Sequence, residues 1–188
     1  MAALLSGLPL EILSLSDCPG VTLPPEGESS YADNALGKAR AVARATGMLA
    51  LADDSGIEVD ALGGGPGVRS ARYGGEGLSD ARRCEVMLEE LRGVPPERRT
   101  ARYRAVIALC SPHGREATTE GVVEGVLLDA PRGRGGFGYD PLFYFPPLGA
   151  TFAEITPQAK HAVSHRGWAM IRARELLASW LREPDRSR

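Results

Sequence analysis

Lysine is scarce in this chain. Of 22 basic side chains only Lys38 and Lys160 are lysines, and the rest are arginines. A sequence that uses Arg almost everywhere keeps Lys where a compact, flexible ammonium serves and a planar fork does not, so both lysines are candidates for a functional site. Cysteine is scarce too: Cys18, Cys84 and Cys110 are odd in number, far apart and without Cys-x-x-Cys spacing. That argues against a cysteine zinc site and fits a reducing, cytoplasmic setting. A basic excess is missing, since the net charge is -2 and the pI is near 6.0, which argues against nucleic-acid and membrane-surface partners. No apolar run approaches a membrane span, and the opening Met1 to Leu10 lacks a basic leader and is interrupted by Ser6, Gly7 and Pro9. The phosphate loop Gly-x-x-x-x-Gly-Lys-Ser/Thr, the zinc motif His-Glu-x-x-His, the nucleophile elbow Gly-x-Ser-x-Gly and internal repeats are absent as well. What remains is a chain of 188 residues, 43% hydrophobic, large enough for one core with two lobes, whose partners are small molecules or protein.

The most informative stretch runs from Leu49 to Asp60, followed by the glycine-rich Gly63 to Gly67. An apolar run of strand length, Leu49 to Ala52, stops at Asp53, Asp54 and Ser55, and the alternation of Ile57, Val59 and Ala61 starts a second extended piece. Adjacent carboxylates repel and lose hydration on burial, so a cation best tolerates them. Magnesium is the natural candidate, because it reaches proteins through one or two carboxylates plus substrate phosphates. Neighbours on a strand point to opposite faces, and Asp54, at the strand exit, is the one expected to face the pocket. The competing reading is a plain turn, since Asp, Ser and Gly are standard turn residues.

Elsewhere the pattern predicts the end of a helix over Met1 to Ser6, a short buried strand over Leu10 to Leu15 and a turn at Asp17 to Gly20. A helix capped by Ser29 or Ser30 runs to Thr46 with Gly47 as its stop, and places Asn34 and Lys38 one turn apart, beside the Asp54 strand and within reach of Glu26. A second helix spans Ser79 to Arg92, and two strands, Thr100 to Cys110 and Glu116 to Leu128, form a hairpin in a mixed sheet, with His113 an exposed residue of its turn. Arg69 and Arg72 are either phosphate contacts or solvated surface. Five of the nine Phe and Tyr residues fall between Phe137 and Phe145. Phe143 to Phe145 reads as a core strand, whereas Phe137 and Tyr139 alternate with glycine and offer faces for a nucleobase. A short helix from Thr156-Pro157 carries Lys160, and Ser164-His165-Arg166 heads the final helix, on which Trp168 and Trp180 are expected to pack. Lys160, His165 and Arg166 then form a donor-rich patch suited to carbonyl oxygens or phosphate.

Glu26, Asn34 with Lys38, Ala52 to Gly56, Gly63 to Tyr73, Gly136 to Pro141 and Ser164 to Arg166, in this order, resemble the inosine triphosphate pyrophosphatase family from about Leu4 to Leu181. The resemblance implies an α/β fold, elongated and two-lobed around a central mixed sheet with a cleft between the lobes, a single domain over residues 1–188, and a homodimer. It implies Mg2+-dependent hydrolysis of non-canonical purine nucleoside triphosphates, with Asp54 as catalytic base and metal ligand, Glu26 as second metal ligand and Lys38 on the phosphates. It implies Ser55, Phe137, Gly138, Tyr139, Asp140, Lys160, His165 and Arg166 as substrate contacts. The family opens with a strand ending in a Ser/Thr-Gly-Asn-x-x-Lys loop, which is not found here. The expectation is a start codon upstream of Met1, the alternative being a form that lacks that strand.

The expected chemistry is direct attack of water on the α-phosphorus, giving the nucleoside monophosphate and pyrophosphate without a covalent intermediate. Donors such as His165 and Arg166 would donate to the six-carbonyl of inosine or xanthosine and be left unpaired by adenine. The rivals are a Maf-like pyrophosphatase of other modified nucleotides, a catalytically silent nucleotide-binding protein, and an aspartyl-phosphate phosphatase, for which the Asp-x-Asp-x-Thr pattern is lacking.

Overall fold

The computed structural model describes residues 2–182. Among the described residues four α-helices and five strands carry the fold, an α/β arrangement in which the strands follow one another across the sheet in chain order. Helix α1 is Tyr31–Thr46: the Ser30 hydroxyl accepts from the Asp33 amide, and Gly47, at φ 68°, closes the helix in the left-handed conformation that favours glycine. Its buried stripe is Tyr31, Asn34, Ala35, Ala39 and Ala43, and a polar residue, Asn34, lies within it. Strand β1, Ala50–Val59, is one uninterrupted strand of 10 residues. The turn reading of Asp53 to Gly56 is thereby corrected, and Asp54 sits in mid-strand rather than at its exit, because backbone pairing continues straight through the two carboxylates.

Helix α2 is Asp80–Glu90, capped by Ser79, and the hairpin is β2, Thr100–Cys110, with β3, Glu116–Leu127. Strand β4, Phe143–Phe145, pairs antiparallel with β3 (Leu127 opposite Phe143) and with β5, Ala150–Thr151. The end of β1 lies beside the start of β2, where Asp60 accepts from Thr100 at 2.6 Å, so this pair is antiparallel too. The expected mixed sheet is therefore antiparallel over the described strands. Helix α3 is Pro157–Val163 and α4 is His165–Arg182.

By internal contacts the described residues form two units: residues 2–54, 105–121 and 166–182, and residues 55–104 and 122–165. The first unit packs Ala105, Ile107 and Leu109 of β2 against Met170, Ala173, Leu177 and Trp180 of α4. Trp168 is 45% exposed, a correction with a simple cause: two residues of helix rotate the chain by about 200°, which turns Trp168 away from the Met170 stripe. The second unit packs Ile57, Met87 and Leu91 with an aromatic cluster in which Phe143 lies 4.6 Å from Tyr103 and 4.9 Å from Phe152 between ring centroids. Near the start of the chain, Ala2–Leu5 is a short 3-10 helix. The buried strand expected at Leu10 to Leu15 does not form: Ile12, Leu13 and Leu15 are each close to half exposed, and no described strand pairs with this segment. An extended segment without a ladder partner has nothing to hold it as sheet.

Candidate functional site

Strand alternation sends the two adjacent carboxylates to opposite faces, as expected. Asp54 is buried, with 8% of its surface exposed. Its Oδ2 accepts from Asn34 Nδ2 at 2.9 Å, and Lys38 Nζ lies 3.5 Å from Oδ1. Lys38 Nζ also donates to Glu26 Oε1 at 2.8 Å. Asn34 and Lys38 stand four residues apart on α1, which puts both over the same strand position. Asn34 has a second task. Its Oδ1 accepts from the Gly27 amide at 2.8 Å and its Nδ2 donates to the Gly27 carbonyl at 3.2 Å, so one amide side chain ties the Glu26 loop to Asp54.

Burial pushes the Asp54 carboxyl above its ordinary value, the Asn34 hydrogen bond and the Lys38 charge pull it down, and the Glu26 charge pushes it up again. Desolvation dominates, so Asp54 is a stronger base than a free aspartate. Glu26 and Asp54 supply hard carboxylate oxygens, both held by Lys38, and this donor set fits an ion that takes one or two carboxylates and draws its remaining ligands from water and phosphate. No cluster of three or more His, Cys, Asp or Glu side chains suited to a metal exists among the described residues. On the other face, Arg166 Nε donates to Asp53 Oδ2 at 2.8 Å.

In the second unit, the Phe137 segment is organised from below by Asp140, a carboxylate only 1% exposed. Its Oδ2 accepts from the Phe137 amide at 2.8 Å and from Lys160 Nζ, and its Oδ1 accepts from the Tyr103 hydroxyl at 3.3 Å. Lys160 Nζ lies 4.3 Å from the Phe137 ring centroid, a cation-π contact that pins the ring while 55% of Phe137 stays exposed. Tyr139 is buried and its hydroxyl donates to the Ser70 carbonyl at 2.8 Å. The geometry thus makes Tyr139 and Asp140 anchors that present Phe137. Gly136 is required by the same construction: at φ +72°, a Cβ there would lie 2.0 Å from Asp140 Oδ2. His165 is buried and stacks on Tyr103 with centroids 4.6 Å apart. Ser55, half-buried on β1, follows Asp54 directly, and Arg69 and Arg72 lie in a 3-10 helix, Gly67–Arg72. His113 is exposed in its turn.

Within the first unit the structure brings together Glu26, Lys38 and Asp54, and within the second Phe137, Asp140 and Lys160. Sequence reasoning placed Asn34 beside Lys38 without giving it a role, and it gave none to Asp53. The spacing of four residues was the available signal for Asn34. Nothing in the sequence pairs Asp53 with Arg166, which lie 113 positions apart.

Known proteins with the same pattern are numerous. The Geobacter sulfurreducens protein named dITP/XTP pyrophosphatase is 54% identical over 170 residues, covering 90% of this chain and 85% of that one. The Thermus thermophilus protein of the same name is 53% identical over 159 residues, covering 85% and 76%. Among solved structures, a HAM1 protein from Coxiella burnetii superposes with a TM-score of 0.85 at 40% identity, covering 96% of this chain and 90% of that one. The nucleoside-triphosphatase / dITP/XTP pyrophosphatase from Mycobacterium abscessus gives 0.76 at 44%, covering 94% and 90%. The model of the Ham1 family matches residues 1–176, and this chain, with its Asp54 and Phe137 clusters, belongs to the Ham1 family.

Proposed function

We propose that this protein hydrolyses non-canonical purine nucleoside triphosphates (dITP, ITP, XTP and dXTP) to the nucleoside monophosphate and pyrophosphate, removing them from the nucleotide pool. The observation that carries this reading is the buried Asp54, raised in basicity by desolvation yet held in place by Asn34 and Lys38. Asp54 takes a proton from water as the water oxygen bonds to the α-phosphorus. The bond from that phosphorus to the bridging oxygen of the β-phosphate breaks, and pyrophosphate leaves. Lys38 exchanges its carboxylate partners for phosphate oxygens. Glu26 and Asp54 are the residues that would hold magnesium, which when bound neutralises phosphate charge and makes the attacking water more acidic.

At the base, Phe137 offers a half-exposed ring for stacking, worth about 1 to 3 kcal/mol. His165 and Arg166 donate to the six-carbonyl of the purine, and the Asp53 carboxylate orients the Arg166 guanidinium. Adenine leaves those donors unpaired, at about 1 to 3 kcal/mol each, which is the chemical basis for selecting inosine and xanthosine. Ser55, Gly138, Tyr139, Asp140 and Lys160 complete the substrate side, the last three by holding Phe137. We further place the protein in the cytoplasm as a homodimer without nucleic-acid or membrane partners. The net charge of -2, the three free cysteines and the family resemblance support this placement, and among the described residues no helix is long and apolar enough to cross a membrane.

The test is product analysis with dITP and magnesium beside dATP, dGTP and a modified pyrimidine triphosphate. The expected result is dIMP and pyrophosphate from dITP far faster than product from the others, with Asp54→Asn inactive. Equal turnover of all four, or an active Asp54→Asn enzyme, refutes the reading. Inactivity of this variant is not expected to come from unfolding. Because the folded carboxyl lies above its ordinary 3.8, its stabilising effect is complete below that value and lost as pH rises through the folded pKa. Ionised Asp54 therefore works against the fold near neutral pH, and Asp54→Asn is expected to keep or raise the melting midpoint.

A further inference from the structure

Helix α2 approaches the Phe137 segment with two side chains that none of the roles above uses. Asp80 Oδ2 accepts from the Gly138 amide at 2.6 Å, and Cys84 Sγ, one turn further along, donates to the Gly138 carbonyl at 3.4 Å. We propose that Asp80 and Cys84 are positioning residues for nucleotide binding, which grip the two polar backbone groups of Gly138 and thereby fix the pitch of the Phe137 ring.

The Gly138 amide belongs to the peptide that follows Phe137, and the Phe137 amide belongs to the peptide that precedes it. Asp80 holds the first and Asp140 the second, so carboxylates from different elements clamp Phe137 on both sides. Rotation of its backbone breaks one bond or the other. Asp80 is itself fixed, because its Oδ1 accepts from Arg83 Nη2 at 2.5 Å, and Arg83 Nη1 donates to the Ala71 and Leu78 carbonyls. The charge states suit the task. The Gly138 amide bond, more than the Arg83 charge, holds the Asp80 carboxyl below its usual range, so it stays an acceptor. Burial pushes the Cys84 thiol up to about 11, so it stays protonated and donating. Gly138 carries no side chain and has φ +59°, which leaves its peptide groups open to the helix. A ring held this firmly costs less ordering when a base stacks on it, which favours binding without touching the chemical step.

This inference rests on the reading that Phe137 contacts the nucleotide, and its test separates the two. Amide hydrogen exchange followed by NMR reads the clamp without substrate. In Asp80→Ala, the Gly138 amide is expected to exchange at least about tenfold faster, as follows from loss of a charge-assisted bond, while the amides of Met87 in α2 and of Leu91 just past its end keep their protection. In Asp80→Asn, which retains an acceptor, most of the protection returns. With dITP, Asp80→Ala is expected to raise KM about tenfold with kcat within about twofold. Cys84→Ala raises KM less, and Cys84→Ser, which keeps a donor, restores it. The decisive arm is the double variant. Asp80→Ala adds little to Phe137→Ala if it acts through that ring. Unchanged Gly138 exchange in Asp80→Ala, exchange that rises equally along α2, or KM effects that multiply in the double variant each overturn the clamp. Wild-type protein that leaves dITP intact overturns the functional reading instead, and the clamp is then decided by the exchange data alone.

Discussion

Replacing Asn34 with Ala is a sharp probe of the proposed role of Asp54 as base, because one side chain holds both the Asp54 carboxylate and the loop that carries Glu26. The variant loses three hydrogen bonds: two neutral ones to the Gly27 backbone at 2.8 and 3.2 Å, and one to the Asp54 carboxylate at 2.9 Å. Neutral bonds contribute about 0.5 to 1.5 kcal/mol each and bonds to a charged group about 1.5 to 3, and their effects overlap because one side-chain amide makes all three. A loss of about 3 kcal/mol in unfolding free energy is expected, read from urea denaturation as a lower midpoint at unchanged slope. The functional consequence has a definite sign. The Asn34 bond favours the ionised carboxylate, so its removal raises the Asp54 pKa and moves the acid limb of the kcat/KM profile for dITP to higher pH. Activity is therefore lost most at the acid end and recovers towards alkaline pH. A uniform fall in activity with an unmoved acid limb refutes the role given to Asn34, and an acid limb shifted downwards refutes the assignment of Asp54 as the base.

The buried Asp140–Lys160 pair gives a second prediction. Asp140→Ala leaves Lys160 and the Phe137 amide without their acceptor, and a buried charge stripped of its partner costs about 3 to 5 kcal/mol. The combined Asp140→Leu and Lys160→Met variant, which removes both charges, is expected to regain much of that stability in thermal melts but not the affinity for dITP. Gly136→Ala tests the close approach to Asp140: the clash with Oδ2 and the positive φ, itself costing about 1 to 2 kcal/mol, are expected to lower the melting midpoint and raise KM together. Asp53→Asn releases the half-buried Arg166 from its counter-ion, and as a partly exposed pair it changes stability by less than about 1 kcal/mol. The expected sign of its role is reduced discrimination between dITP and dATP, measured as the ratio of their kcat/KM values.

Local chemistry made much of the fold legible in the sequence. Ser30 and Gly47 bound α1, Ser79 starts α2 and Thr156-Pro157 starts α3, because caps and breakers act within a few residues and need no tertiary partner. The alternating and apolar runs of β2 and β3 announced a hairpin, and the structure has it. The errors share one cause. Leu10 to Leu15 has the composition of a strand, Trp168 that of a packing residue, and Asp53 to Gly56 that of a turn, yet pairing and burial are set by neighbours distant in sequence, which composition does not name.

For the candidate site the division is similar. The sequence by itself determined which chemistry was available: two adjacent carboxylates on a strand, two lysines in an arginine-rich chain, and an aromatic among glycines. It also fixed the four-residue spacing that sets Asn34 beside Lys38. Only the tertiary structure decided that Asp54 is the buried member of its pair and Asp53 the partner of Arg166, that Lys38 joins Glu26 to Asp54, and that Asp140 and Asp80 hold Phe137 from opposite sides. The physical reason is that desolvation and ion pairing depend on which groups meet across long loops, and a carboxylate becomes base, counter-ion or anchor through those neighbours rather than through its own identity.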